Sequence, residues 1–311
     1  MVTGATGHHC VKISPGCANC YSSRMQPMRF KLPEFDAPHP NKLQVFFDRD
    51  RLLEVLTRKK PTVWFWCDMT DLFGEWVRER WIDECFATMA LTPQHTHLLL
   101  TKRTKRAFEY MTGDRRRAVL TAVAAMVKAG TVPAPAKGTG PLWPLPNVRL
   151  GASVENQTMA DLRIPELLVT PAAGRFLSVE PQLGPITLKW AACVCGNKEL
   201  AFKEGHRPEC PVTKFARKPM FSQVIVGGES GARKKIRPFN LQWARSLIRQ
   251  CHELRVPVFI KQLGSLPTLT PIGTKDFEKH PEPIIRLTLR SHKGNQMPEW
   301  PPDVACRERM T

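Results

Sequence analysis

Three cysteines, Cys10, Cys17 and Cys20, fall within residues 9–21 with the spacing C-x6-C-x2-C. A Pro-Gly pair directly before the second cysteine predicts a turn that lets the three sulfurs converge. Three thiolates without a nearby fourth cysteine are typical of an iron–sulfur cluster with one iron open to a small molecule, because a closed structural zinc site usually has four protein ligands. Either of the two histidines that precede the first cysteine could complete a zinc site. The residues alone therefore leave a cluster, a zinc ion and unligated thiols open.

A second group of metal-binding residue types occurs inside residues 190–220. Cys193, Cys195, His206 and Cys210 follow the pattern C-x-C-x10-H-x3-C, in a segment that also contains glycine and proline. Four such ligands at this spacing are typical of a small zinc knuckle, with unliganded surface thiols as the alternative. Lysine and arginine flank the group, so the knuckle is also a candidate contact for nucleic acid.

The other cysteines have no such pattern. Cys67, Cys85 and Cys251 lie in apolar runs and are expected to be core thiols, and Cys306 lies in an irregular tail. The chain has no run of about 18 apolar residues that could cross a membrane and no apolar secretory segment at its start. Together with the metal-type cysteine spacings, these features predict a protein of the reducing cytoplasm.

The chain is strongly basic. Its 311 residues include 46 Lys and Arg against 28 Asp and Glu, which gives a net charge of +18. Such a charge predicts a polyanionic partner, and nucleic acid is the favoured one, whether DNA or RNA. A surface that serves solubility alone is the alternative. Residues 233–235 form a basic run that follows a glycine-rich turn, which favours a phosphate contact there.

Six apolar runs of strand length alternate with segments of helical periodicity. The runs are residues 62–67, 96–101, 148–153, 175–179, 222–226 and 256–260. The alternation predicts an α/β fold with a parallel sheet and right-handed crossovers. We assign residues 1–265 to a barrel-like domain that contains the 190–220 insertion, and residues 266–311 to a carboxyl-terminal extension.

Two helices and one irregular segment are also predicted. Residues 104–129 have the pattern of one helix, and Asn240 is expected to cap a helix whose apolar face includes Leu247, Ile248 and Cys251. Residues 22–45, which are rich in proline and basic residues, are expected to be irregular.

Polar residues recur just after these predicted strands. They are Asp68, Asp71, Lys102, Glu155, Asn156, Glu180, Glu229 and Lys261. A parallel (β/α) barrel collects the carboxyl ends of its strands on one face, so the set favours a partial or complete barrel. An open doubly wound sheet with a crevice at its switch point is the alternative architecture. Single members of the set could instead cap helices.

Eight short motifs, the last of them near the carboxyl terminus, occur in the same order as in a family that the chain resembles. They are residues 10–21, 68–73, 100–103, 151–156, 177–186, 224–231, 256–264 and 299–303. The set resembles a three-cysteine-motif family of bacteriophages and bacteria, and that family looks like divergent radical S-adenosylmethionine enzymes. Members of the family commonly have a longer segment before the cysteine loop. The resemblance thus implies a partial (β/α) barrel with the cysteine loop near its first strand.

The resemblance also implies cofactors. Cys10, Cys17 and Cys20 would hold a 4Fe-4S cluster, and S-adenosylmethionine would bind its open iron. The candidate cofactor-binding residues follow predicted strands or belong to the Gly-Gly-Glu-Ser run, and they are Asp71, Glu155, Asn156, Gly227, Gly228, Glu229 and Ser230. The candidate catalytic residues are Glu180, Lys102 and Lys261. Two features depart from the superfamily pattern: the first cysteine gap is six rather than three residues, and the Gly-Gly-Glu run comes late, which leaves its role unassigned.

The function expected from these observations is a radical S-adenosylmethionine-type enzyme that acts on nucleic acid or a nucleotide, as in phage DNA modification or repair inside a bacterial host cell. Such an enzyme needs a reductant protein of flavodoxin or ferredoxin type. Two alternatives remain open: a zinc-stabilised nucleic-acid-binding protein without catalysis, and a barrel hydrolase whose carboxylates act as acid and base.

Overall fold

The structure, a computed structural model, describes residues 6–35, 44–130, 142–188, 220–232, 234–269 and 286–309. Its helices are α1 (Tyr21–Met25), α2 (Asp50–Thr57), α3 (Glu79–Leu91), α4 (Thr104–Thr112), α5 (Arg115–Lys128), α6 (Gln157–Val169) and α7 (Leu241–Glu253). Its strands are β1 (Val63–Trp66), β2 (Thr96–Thr101), β3 (Val148–Ser153), β4 (Gly174–Val179), β5 (Gln223–Gly227), β6 (Phe239–Asn240), β7 (Val258–Gln262) and β8 (Pro267–Thr268).

Six of the strands form one sheet in the order β1-β2-β3-β4-β5-β7. The strands β1 and β2 are parallel, as are β4 and β5, and β5 and β7. The order follows the chain without the reversal that marks a doubly wound sheet. Within the described residues β1 and β7 do not pair with each other, so the sheet is of the half-barrel type. The predicted α/β fold with a parallel, partial-barrel sheet is confirmed, and β6 and β8 add a separate two-stranded sheet.

The chain divides into two compact units. The first comprises residues 1–12, 22–151 and 170–174, and the second comprises residues 13–21, 152–169 and 175–311. One boundary falls inside the cysteine loop, so Cys10 belongs to the first unit, whereas Cys17 and Cys20 belong to the second.

The core of the first unit is built on α3, which packs against α2 and α5. Its buried residues Ile82, Phe86 and Met89 recur at intervals of four and three, which places them on one face of the helix. Full burial of each such side chain contributes about 1.5–3 kcal/mol relative to exposure.

The second unit contains α7, whose start and buried face both follow from the sequence. The Asn240 side chain accepts a hydrogen bond from the Gln242 N–H at 2.9 Å, which makes it the predicted N-cap. Leu247, Ile248 and Cys251 lie on the buried face. This helix is confirmed as predicted.

Two local predictions differ from the structure. Residues 104–129 read as a single helix, but α4 ends before Gly113 and α5 begins at Arg115. Glycine is a poor helix former, and the following Asp114 favours caps over helix interiors, so the pair separates two helices. Residues 22–45 were expected to be irregular, but residues 22–30 continue α1 into one π-helical turn that ends at the left-handed residue Lys31.

No helix in the described parts of the chain has the length and apolar character needed to cross a membrane.

Candidate metal and cofactor site

In the first unit, Asp71 connects the segments that follow β1 and β2. Its buried carboxylate accepts hydrogen bonds from the Thr101 hydroxyl at 2.8 Å, from the Lys102 backbone N–H at 3.0 Å and from Arg103 Nη1 at 3.2 Å. Both Asp71 and Arg103 are largely removed from solvent, with side chains 6% and 5% exposed. Asp71, a predicted cofactor-binding residue, thus fixes the carboxyl ends of two neighbouring strands.

The same region holds the first part of the cysteine loop. Arg103 Nη2 donates to the carbonyl oxygen of Val11 at 3.1 Å, and the Thr70 hydroxyl donates to the carbonyl oxygen of His9. The Arg103 guanidinium also lies 4.7 Å from the centre of the Trp76 ring. Backbone groups on both sides of Cys10 are therefore bound by residues that follow β1 and β2.

In the second unit, Glu155 follows β3 and binds the next part of the loop. Its carboxylate accepts the Gly16 backbone N–H at 3.1 Å and pairs with Arg163 Nη1 at 3.0 Å. The side chains of this ion pair are 1% and 3% exposed, and Arg163 also donates to the carbonyl oxygen of Ser153 at 2.7 Å. Glu155, another predicted cofactor-binding residue, thereby joins β3 and α6 to the turn that precedes Cys17.

Glu229, which follows β5, binds the loop at a second point. It accepts a hydrogen bond from Asn19 Nδ2 at 3.0 Å and one from the Arg237 backbone N–H at 2.8 Å, and it pairs with the Arg237 side chain. Arg237 Nη1 in turn donates to the Pro15 carbonyl oxygen at 2.9 Å. Burial raises the pKa of Glu229, but the hydrogen bonds from Arg237 and Asn19 outweigh burial and lower it overall, so the carboxylate is charged.

Cys17 and Cys20 lie in one tight turn of the second unit. A 3₁₀ turn spans Pro15–Cys17, and the Cys20 N–H donates to the Cys17 carbonyl oxygen at 3.2 Å. The Ser14 hydroxyl lies 3.6 Å from the Cys17 sulfur. Both thiols are reduced and half-buried, as is Cys10. Cys17 and Cys20 of the second unit and Cys10 of the first are each of the residue type that ligates iron–sulfur clusters, and that the three share one cluster stays a prediction.

Glu180, Gly227 and Lys261 meet at the ends of β4, β5 and β7. Lys261 Nζ lies 3.2 Å from Glu180 Oε2, and their side chains are 58% and 16% exposed. A Cβ atom on Gly227 would lie 2.6 Å from Glu180 Oε1, so any other residue here would require the Glu180 carboxylate to move. The pair presents a positive and a negative group at the same edge of the sheet.

Close backbone approach explains the second glycine of the run. A Cβ atom on Gly228 would lie 2.5 Å from the Leu263 carbonyl oxygen, and its own carbonyl oxygen accepts a hydrogen bond from Gln262 Nε2 at 3.1 Å. Gly228 therefore allows β5 and the segment after β7 to come together. Whether Gly227, Gly228, Glu229 and Ser230 also bind a cofactor stays a prediction.

A model of a protein family described as a protein of unknown function, DUF5131, matches residues 3–294. The chain belongs to the DUF5131 family. Comparison with curated proteins found no match, and comparison with solved structures found none either.

Three further predicted residues of this DUF5131 chain have clear positions. The Asn156 side chain accepts the Met159 N–H at 3.0 Å and caps α6. The Lys102 ammonium, which follows β2, is half-buried and forms no hydrogen bond or ion pair with the described residues. The predicted zinc ligands Cys193, Cys195, His206 and Cys210 lie outside the described residues.

One group of metal-binding residue types was not predicted from the sequence. Within the described ranges, His252, Cys306 and Glu308 are the one set of three or more such side chains whose ligand atoms all lie within 4.8 Å of one another. The latter two lie beyond residue 294, where the DUF5131 match ends. The Cys-x-Glu spacing could have indicated two of these ligands, because alternate residues of an extended segment share a face.

Proposed function

We propose that this chain is an iron–sulfur enzyme of the radical S-adenosylmethionine type that acts on nucleic acid or a nucleotide. The observation that carries the proposal is the attachment of the cysteine loop to residues at the carboxyl ends of strands. In the first unit, Thr70 and Arg103 bind the Cys10 segment, and in the second unit Glu155 and Glu229 bind the turn that carries Cys17 and Cys20. In half-barrel and barrel folds, the carboxyl ends of strands are where reactive groups collect.

Cys10, Cys17 and Cys20 would ligate the cluster. Such a cluster would supply the electron for reductive cleavage of the sulfonium bond of S-adenosylmethionine. The protein's part is to exclude water, to hold the loop and to bind cofactor and substrate. The half-buried positions of the three cysteines suit a cluster that a reductant protein and a small molecule must both approach.

The charged residues at the strand ends divide into two groups. Asp71, Glu155 and Glu229 are already engaged by arginine and backbone N–H groups, so their contribution is to position the loop. The Lys102 ammonium and the mutually paired Glu180 and Lys261 are the candidates to contact cofactor or substrate. We propose that the lysines bind a carboxylate or phosphate and that Glu180 binds an amino or ribose group.

The basic composition supports the proposed substrate class. A net charge of +18 favours binding to a polyanion, and phage DNA modification or repair would provide one. The reaction itself is proposed only as a radical transformation of a nucleotide unit.

The decisive experiment is iron and acid-labile sulfide analysis of anaerobically purified protein, with its ultraviolet–visible spectrum before and after dithionite. We expect a broad iron–sulfur absorbance that dithionite bleaches and that Cys17→Ala abolishes. Cys306→Ala is the matched control, because Cys306 is also a reduced, half-buried cysteine but lies outside the loop. It should retain the cluster.

The same measurements can also contradict the proposal. Zinc in the wild-type protein, together with no iron–sulfur absorbance after reconstitution with iron and sulfide, would overturn the radical proposal. It would favour the zinc-stabilised nucleic-acid-binding protein. A cluster that forms but leaves S-adenosylmethionine intact under reducing conditions would instead limit the chain to an iron–sulfur protein of another kind.

A further inference from the structure

The carboxyl-terminal segment of the second unit runs along β7. The Ile260 N–H donates to the Cys306 carbonyl oxygen at 2.8 Å, and the Glu308 N–H donates to the Val258 carbonyl oxygen at 3.0 Å. Phe259 and Arg307 form an antiparallel bridge between these two pairs. The segment therefore adds an extended stretch of chain to a strand that is otherwise an edge of the six-stranded sheet.

The extended conformation determines which side chains share a face. Successive side chains of an extended segment point to opposite faces, so Cys306 and Glu308 lie on one face and Arg307 lies on the other. Arg307 confirms the alternation, because its guanidinium lies 5.4 Å from the Phe259 ring centre and 5.0 Å from that of Trp300. The thiol and the carboxylate are thereby directed to the same side.

The third member of the group comes from α7. His252 lies in the last turn of this helix, and its Nε2 is 3.2 Å from Glu308 Oε1. Helix carboxyl ends have a partial negative charge that favours cations. As metal ligands, a neutral imidazole, a deprotonated thiol and a carboxylate near such an end would form a site with negative charge and three different zinc-binding atoms.

We propose that His252, Cys306 and Glu308 bind one zinc ion, which attaches the carboxyl-terminal segment to α7. Zinc is favoured over calcium or magnesium because the set includes sulfur and nitrogen, whereas those two ions prefer oxygen ligands. The site is distinct from the cysteine loop and does not depend on the proposed radical chemistry.

The geometry requires only small side-chain movements. Ligand atoms of a tetrahedral zinc site with bonds of 2.0–2.3 Å lie about 3.5 Å from one another. The imidazole and carboxylate atoms are already at 3.2 Å, and all three ligand atoms lie within 4.8 Å. The His252 side chain is 54% exposed, so it can rotate toward the thiol.

One ligand is held in place by the sheet. The Val258 N–H donates to Glu308 Oε2 at 2.7 Å, which leaves Oε1 directed toward His252. The Cys306 sulfur lies 3.7 Å from the Val258 carbonyl oxygen. Three protein ligands leave a fourth position for water, as in zinc sites that keep an open position.

The test uses the full-length chain, freed of metal with a chelator and then titrated with Zn²⁺ in competition with a chromophoric indicator. Because the cysteine loop and the predicted knuckle of Cys193, Cys195, His206 and Cys210 also contain zinc-binding residue types, the informative quantity is the difference between variants. His252→Ala and Glu308→Gln should each lose one equivalent of zinc at the concentration that saturates this site in the wild type. His292→Ala, which removes another histidine of the second unit, should lose none.

A second measurement locates the ion. Zinc should slow amide hydrogen exchange in residues 304–309 on the order of tenfold in the wild type and in His292→Ala, because a ligand that binds the folded segment stabilises it. The same addition should have no effect on that segment in His252→Ala. Because His252 is more than half exposed, this variant should fold normally, which its thermal unfolding will verify.

Two results would overturn the proposal. If His252→Ala binds as much zinc as the wild type, the three residues do not form a metal site, and the histidine–glutamate contact is a surface ion pair only. If zinc leaves exchange in residues 304–309 unchanged in the wild type, the ion binds elsewhere. A failed search for a cluster at Cys10, Cys17 and Cys20 would affect neither measurement.

Discussion

His97 shows how two hydrogen bonds fix the protonation state of a buried side chain. The Trp66 indole N–H can only donate, and it lies 3.0 Å from His97 Nδ1, so Nδ1 must accept and has no proton. The other ring nitrogen, Nε2, lies 3.1 Å from the Thr92 hydroxyl. Burial, together with the neighbouring His95, lowers the pKa of His97 from 6.5 to about 4. The folded protein therefore holds a neutral imidazole.

This histidine makes the stability of the protein sensitive to acid. The unfolded chain binds the proton near pH 6.5, whereas the folded chain resists it until about pH 4, so the free energy of unfolding falls as the pH drops through that window. The loss should reach about 3 kcal/mol, since one unit of pKa corresponds to about 1.4 kcal/mol. Urea unfolding at intervals between pH 7 and pH 4 measures it.

The matched variant for that measurement is His97→Gln. Its amide oxygen can still accept the Trp66 N–H but does not titrate, so the pH dependence should become shallower by the amount assigned to His97. Equal slopes in His97→Gln and the wild type would show that other groups cause the acid sensitivity.

The ion pair of Glu155 and Arg163 should matter far more to stability than a surface pair. Glu155→Gln can keep the hydrogen bond to the Gly16 N–H, but it leaves the Arg163 charge buried without a counter-charge. Breaking a buried pair in this way typically costs about 3–5 kcal/mol. The free energy of unfolding from urea titration at pH 7 is the measurement.

Arg245 and Asp303 form the control pair for that substitution. Asp303 is 55% exposed, and removal of its charge by Asp303→Asn should change the free energy of unfolding by less than about 1 kcal/mol. A decrease in the free energy of unfolding no larger for Glu155→Gln than for Asp303→Asn would mean that water reaches the Glu155–Arg163 pair in solution. That result would contradict the role of Glu155 in positioning the loop.

At the level of elements, Arg237 connects the segment after β5 to the cysteine loop. It pairs with Glu229 and donates to the Pro15 carbonyl oxygen. Arg237→Ala removes both contacts and leaves the Glu229 carboxylate with fewer donors, which costs about 1–3 kcal/mol for a buried acceptor. We expect faster amide exchange in residues 15–20 and, if the cluster proposal holds, less iron per chain.

Lys235→Ala is the control for this experiment, because Lys235 is an exposed cation two residues away. It should preserve both the exchange rates and the iron content. Unchanged exchange in residues 15–20 of Arg237→Ala would contradict the positioning role, whatever metal the loop binds. The exchange measurement therefore separates the structural argument from the chemical one.

Most of these strands and helices could be predicted from the sequence. The six sheet strands were predictable because each is a short apolar run ended by polar residues, and α7 was predictable because Asn240 precedes an apolar face of helical period. The break at Gly113 was missed because one glycine inside a helical pattern does not by itself separate two helices. It does so here with Asp114, while Arg115 pairs with Asp83 of α3.

The candidate site was predictable only in part. Spacing identified the cysteines of the loop, because metal ligands must be close in space and turns bring near neighbours together. Asp71, Glu155 and Glu229, which bind the loop or its neighbours, were predicted as polar residues after strands, but their hydrogen-bond partners were not predicted. Arg163 lies eight residues after Glu155, and Asn19 lies 210 residues before Glu229, so only the folded chain shows these contacts. The same reason explains why His252 was not connected to Cys306.

At the level of the whole molecule, the positive charge is the property that bears most on a partner. Basic residues exceed acidic residues by 18, although many arginines are already paired with carboxylates. Paired arginines serve the fold and contribute little to binding a polyanion. Cations without such partners, like the Lys102 ammonium at the end of β2, are the ones that remain to contact phosphate.

We therefore expect salt-dependent binding to nucleic acid. Affinities for single-stranded DNA, double-stranded DNA and RNA oligomers, measured by fluorescence anisotropy between about 50 and 200 mM salt, should fall as salt rises, because bound phosphates release counterions. The slope of log affinity against log salt is about −0.7 per neutralised phosphate for single strands and about −0.9 for duplex DNA. Lys102→Ala should make the slope shallower by about one phosphate contact.

Lys128→Ala is the control, because it removes the same charge at the end of the helix α5 and not at the end of a strand. It should leave the slope at the wild-type value. Equal effects of the two variants would indicate diffuse attraction rather than a phosphate contact at Lys102. No binding at the lowest salt would mean that the positive charge serves solubility, and the proposed nucleic-acid substrate would then fail even if the cysteine loop binds a cluster. The salt titration thus tests the partner independently of the metal.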